Sequence, residues 1–200
     1  LVGSEMCIRD RYYIIQSLPS GGFVVIRKNI IYKLFVCCLL ILFLPGCETI
    51  MVDGEAVKNP PKHIHQAVEY IGLNEYQHRT ALKRYVGVDP RYTEWCAAFV
   101  NAVLEESNMV NLSDMEHIAP LMARSFLSWG QEVDVPMAGD LVIFPRGNSD
   151  WKGHVGFYLS SVKRDGKEYY RILGGNQNNA VSIDLYPAKK TLGIRRANKY

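Results

Sequence analysis

Hydrophobic positions along the 200-residue chain fall into three regimes. The first is an uninterrupted apolar run from Leu34 to Leu44. The second is helical in period. Ile64, Val68 and Ile71 recur at steps of four and three before Gly72, and Leu82 and Tyr85 mark a second helix from Thr80 to Val86. Trp95, Phe99, Ala102 and Val103 form one face of a third helix, predicted to start at an N-cap on Thr93 and run to Glu106. A fourth is predicted from Ile118 to Trp129, stopping at Gly130. Beyond Val135-Pro136 the period shortens towards 2. Strands are expected over Leu141–Phe144, His154–Val162, Glu168–Leu173, Ala180–Leu185 and Leu192–Arg196, with a hairpin turn in Lys163–Lys167. Helices first and consecutive strands afterwards predict an α+β fold. Its N-terminal helices would pack on an antiparallel sheet of about five strands.

The apolar run is too short to span a bilayer as a helix, and the basic stretch Arg27–Lys33 precedes it, so residues 27–46 read as a secretory signal peptide. Its end, Leu44-Pro45-Gly46-Cys47, resembles the lipobox of bacterial lipoproteins. That resemblance implies acylation of Cys47, and with it a protein lipid-anchored at the periplasmic face of the envelope. Glu48 where inner-membrane lipoproteins tend to carry Asp implies sorting to the outer membrane. Residues 1–26 are expected to be a non-native leader, since Leu1–Arg11 resembles translated sequencing-library sequence. Residues 47–62 end in Pro60-Pro61 and are expected to be a tether, leaving 63–200 as the folded domain.

Composition changes this picture only once the leader is set aside. The net charge of +3 lies in residues 1–46, which hold five of the 23 basic and two of the 20 acidic side chains. The remainder is balanced, so nucleic acid is not an expected partner. His63 and His65 form a His-x-His pair with no cysteine or carboxylate cluster to complete it; neither metal nor cofactor is expected.

With the leader removed and Cys47 acylated, Cys96 is the one remaining free thiol. It falls in the first turn of the third predicted helix, where unpaired backbone N–H groups and the dipole favour thiolate. A cysteine nucleophile needs an imidazole, and the imidazole needs a group that fixes its tautomer. His154 opens a strand between Gly153 and Gly156, and Leu173-Gly174-Gly175-Asn176-Gln177 ends the next one, so hairpin pairing would bring Asn176 near His154.

Trp95-Cys96-Ala97-Ala98-Phe99-Val100, Gly139-Asp140-Leu141-Val142-Ile143-Phe144, Gly153-His154-Val155-Gly156 and Gly174-Gly175-Asn176-Gln177 occur in the order seen in papain-like cell-wall hydrolases of the NlpC/P60 and CHAP type, which the chain resembles from about residue 65 to 197. The resemblance implies a papain-like fold and a peptidoglycan hydrolase that cleaves a stem-peptide or muramoyl-L-alanine amide through a cysteine acyl-enzyme. Cys96 would be nucleophile, His154 base and acid, and Asn176 the orienting residue, although the position where some CHAP domains carry glutamate is Gly174 here. Trp95, Trp151 and Gln177 are candidate substrate contacts. Glu94 reads foremost as a helix-dipole residue and Asp140 as a turn residue. Two alternatives share the fold: a catalytically inactive peptidoglycan-binding lipoprotein, and an acyl or amide transferase.

Overall fold

The computed structural model describes residues 49–52, 54–109 and 118–198; the expected leader, the acylation of Cys47 and His117 lie outside them. The chain folds as an α+β unit. Strands β1 (Thr49–Val52) and β2 (Glu55–Lys58) precede helices α1 (Lys62–Val68), α2 (Arg79–Val86) and α3 (Cys96–Glu106), and a 3-10 helix spans Ala123–Ser128. Then come β3 (Gln131–Glu132), β4 (Leu141–Pro145), β5 (Gly153–Arg164), β6 (Lys167–Gln177), β7 (Ala180–Pro187) and β8 (Gly193–Arg196). The five expected strands are β4 to β8. With the two-residue β3 they make one sheet in the order β3-β8-β4-β5-β6-β7, antiparallel at every pairing.

The alternation along β4 shows how the sheet divides the apolar side chains. Leu141 and Ile143 join the main core with Trp95, Phe99, Val103, Phe157 and Leu173, whereas Val142 and Phe144 join a smaller cluster with Tyr158, Ile172 and Ile194. Helix α3 packs on β5 and β6 from the first side, burying Trp95, Phe99, Val103 and Leu104 completely. Asp165 and Gly166 both hold left-handed φ, 49° and 69°, which makes the tight two-residue hairpin between β5 and β6.

Three local expectations are corrected. The cap of the third helix is Trp95, at φ −115° and ψ 13° and with no side-chain cap bond, rather than Thr93, so Cys96 is the first helical residue. The predicted 118–129 helix is a single 3-10 segment from Ala123. Pro120 disfavours helix at Ala119, and the Ser125 hydroxyl competes for backbone acceptors, donating to Met122 O at 2.7 Å. Residues 49–58, expected within a tether, form the β1–β2 hairpin instead. Val52 and Val57 share its apolar face and are buried in the main core, and Arg171 of β6 donates to Val52 O and to Glu55.

Candidate functional site

The N-terminus of α3 abuts the strand that carries His154. The Cys96 thiol lies in hydrogen-bond reach of the Val155 backbone, one residue beyond His154, and of the Ala97 backbone. Burial pushes this thiol above its ordinary pKa. The Val155 N–H and the Arg146 charge act against that rise and Glu94 reinforces it, so the thiolate preference expected from helix position alone does not prevail.

His154 is buried, and its Nε2 meets Gln177 Oε1 at 2.9 Å. The Gln177 amide cannot be turned over without loss, because its Nε2 donates to Ser182 O at 2.7 Å and to Ile172 O at 3.2 Å. Gln177 Oε1 is therefore an acceptor, His154 Nε2 carries the hydrogen, and the Nδ1 lone pair is left available as a base. Tyr186 stacks on the imidazole at 5.0 Å and 9°, and also on Phe144 at 4.7 Å. Desolvation by this setting pulls the imidazole pKa down to about 4; the Gln177 bond resists the change and Arg146 adds to it.

Asn176 does not take the orienting position. Its Nδ2 donates to Glu94 Oε2 at 2.6 Å. The cause is a register shift in β6 between Gly174 and Gln177, with Asn176 at φ 55°. The strand kinks there, and the next residue along faces His154. Close approach explains the two preceding glycines. A Cβ on Gly174 would lie 3.3 Å from His154 Nε2 and 3.0 Å from Gln177 Oε1, and one on Gly175 would lie 2.6 Å from the Trp95 ring.

Two of the candidate substrate contacts are corrected by burial. Trp95 has no exposed surface, packs under Gly175 and donates through Nε1 to Glu75 at 3.3 Å. Gln177 is 2% exposed and committed to His154. Trp151 stands 65% exposed at the rim of a groove that Cys96 also lines, together with Glu94, Met122, Arg146 and Gly153. Glu94 does more than face the helix dipole, since its carboxylate binds both Arg146 and Asn176 across the groove. Arg124 fixes the loop bearing Trp151, donating to Lys152 O and Ser149 O, each at 2.8 Å.

Other candidates are structural. Asp140 is buried, accepting from Arg196 Nε at 2.9 Å and Nη2 at 2.7 Å and from the Met137 N–H at 2.7 Å. His63 donates from Nε2 to Gly139 O at 2.8 Å, and His78 Nδ1 accepts from the Asn74 N–H. Among the described residues no group of three His, Cys, Asp or Glu side chains is placed to hold a metal ion.

Arg146 and Tyr186 were not singled out in the sequence. Arg146 had a usable signal, because it follows β4 directly and the β4–β5 pairing of Pro145 with Gly153 sets it beside the His154 motif. Tyr186 had none, since strand pairing sets it opposite Tyr170 and Ser161, far along β5 from His154, and only the folded sheet brings the two rings together.

A comparison with curated proteins finds no match. The family model described as the CHAP domain matches residues 87–176, a span that contains Cys96, His154 and Asn176 and stops one residue short of Gln177. CHAP domains are typically hydrolases of the amidase or peptidase kind. The α+β architecture and antiparallel sheet are compatible with the papain-like fold of the CHAP domain, which residues 87–176 of this chain match.

Proposed function

We propose that the protein is a peptidoglycan hydrolase that cleaves an amide bond through an acyl-enzyme on Cys96. The observation that carries this reading is a free thiol at the first position of α3, opening into a groove and packed against the strand that holds a tautomerically fixed imidazole. The CHAP match supports the substrate class.

Burial raises the thiol and lowers the imidazole, and both directions favour the neutral forms over a thiolate–imidazolium pair. Attack therefore proceeds by general-base catalysis rather than from a preformed ion pair. As sulfur bonds to the amide carbon, the thiol proton passes to His154 Nδ1, and the new imidazolium keeps its Nε2–H on Gln177. The Cys96 backbone N–H, at the first helical position, would donate to the developing oxyanion. Collapse breaks the C–N bond, and the amine leaves with the proton held on His154. Water then gives its proton to His154 and its oxygen to the thioester carbon, releasing the acid and restoring the thiol. By the resemblance of residues 44–47 to a lipobox, the enzyme works from a lipid anchor on Cys47 at the periplasmic face of the envelope, in the outer membrane.

Cys96→Ala tests the reading. Incubated with purified sacculi, the parent protein should release soluble fragments and the variant none, with unchanged far-ultraviolet dichroism and melting temperature. Equal release by the variant would overturn the assignment. A parent that sediments with sacculi but releases nothing would mark it as a binding protein.

A further inference from the structure

A second, polar groove adjoins the one that holds Cys96. It is lined by Glu75, Arg91, Tyr92, Glu94, Asn176 and Asn179, and Glu94 belongs to both grooves. Tyr92 lines it, and Tyr76 adjoins it through contacts with Arg91 and Asn179. Tyr92 is 83% exposed and Tyr76 is 61% exposed. Neither ring is loose. The Arg79 guanidinium lies 5.3 Å from the Tyr92 centroid and is itself held by Asp89 at 2.6 and 2.9 Å. Arg91 covers Tyr76 at 4.6 Å, and the Tyr76 hydroxyl accepts from Asn179 Nδ2 at 3.2 Å. Each cation occupies one side of its ring and fixes it at little entropic cost, and high exposure leaves surface for a ligand.

Fixed, exposed tyrosines beside amide and carboxylate side chains suit a ligand with apolar C–H faces and a dense rim of hydroxyl and acetamido groups. A pyranose packs its ring face on an aromatic and spends its rim on polar partners. A peptide would call for an apolar slot or an exposed strand edge, and this groove is predominantly polar. Resting on the proposed hydrolase reading, we infer that this groove is a subsite for the N-acetylated glycan strand. Because Glu94 lines both grooves, a sugar held here adjoins the groove that Cys96 lines.

The test uses the full chain carrying Cys96→Ala, sedimented with sacculi, with a tetramer of N-acetylglucosamine as competitor. The tetramer should displace the protein, and Tyr76→Ala with Tyr92→Ala should weaken sacculus binding at least tenfold. In the Cys96 background the same double variant should raise KM on sacculi more than it lowers kcat. Melting temperature checks that these exposed substitutions leave the fold intact. Failure of the tetramer to compete, together with full binding by the double variant, would overturn the subsite while leaving Cys96-dependent hydrolysis standing. Competition by the tetramer without any Cys96-dependent hydrolysis would support the subsite and remove the hydrolase reading instead.

Discussion

At position 177 a single amide decides which nitrogen of His154 holds a proton, and position 176 acts at one remove through Glu94. Gln177→Ala should lower kcat/KM on sacculi by about ten- to a hundredfold by releasing the ring to the wrong tautomer, whereas Asn176→Ala should cost only a few-fold. Equal losses from the two variants would count against Gln177 as the positioning residue. A carboxylate in its place, Gln177→Glu, should favour the imidazolium and move the acid limb of the pH–rate profile upwards from about 4. The same imidazole ties stability to pH. Its folded value lies below the 6.5 of an exposed histidine, so the unfolded chain binds the proton first. The contribution is intact above pH 6.5 and is lost as pH falls towards 4, amounting to about 3 kcal/mol at the lower end. His63, whose burial also lowers its pKa, acts in the same direction. Denaturant midpoints measured between pH 7 and 4 should fall, and His154→Phe should flatten most of that slope.

Among the elements, β4 to β8 were legible because short apolar runs are set off by turn residues, among them Gly147, Asp165-Gly166 and Asn178-Asn179. The helices were legible because their apolar positions repeat at three and four. The end of β6 was not. Continuing the Phe157–Leu173 register in step sets His154 opposite Asn176, and nothing in Gly174-Gly175-Asn176-Gln177 announces the single-residue shift that brings Gln177 forward. Cys96 and His154 were found from residue type and placement in a motif, which do not depend on register. Their orienting partner depends on register alone. The start of α3 was misplaced by two residues for a related reason, because Thr93 and Glu94 suit a cap while the packing of Trp95 sets where the helix begins. Gly175 is the point where β6 and α3 meet, so Gly175→Ala should cost about 1–3 kcal/mol by overpacking against Trp95 and Phe99. Thermal unfolding with the β5–β6 turn as a control site measures that cost, and a neutral substitution at Gly175 would count against close packing there.

For the whole molecule, the hairpin before α1 is the feature least visible in the sequence. Four-residue strands flanked by proline look like a linker, and only long-range burial of Val52 and Val57 makes them part of the fold. Arg171 is the clasp, with its side chain 6% exposed and Glu55 half exposed at 2.5 Å. The solvent around Glu55 screens the pair, so Glu55→Gln should cost about 1 kcal/mol and lower the melting temperature by about 2–4 °C. No change in melting would mean that the hairpin is held by its valines alone. The clasp also sets a leash. A free tether from Cys47 to Lys62 could reach about 50 Å, whereas a chain folded from Thr49 onwards allows a reach of at most about 7 Å between an acylated Cys47 and the body of the enzyme. On the proposed anchor, the body of the enzyme stays against its membrane, so the size of the fold sets the depth of wall it reaches, and lengthening those two residues would widen that layer.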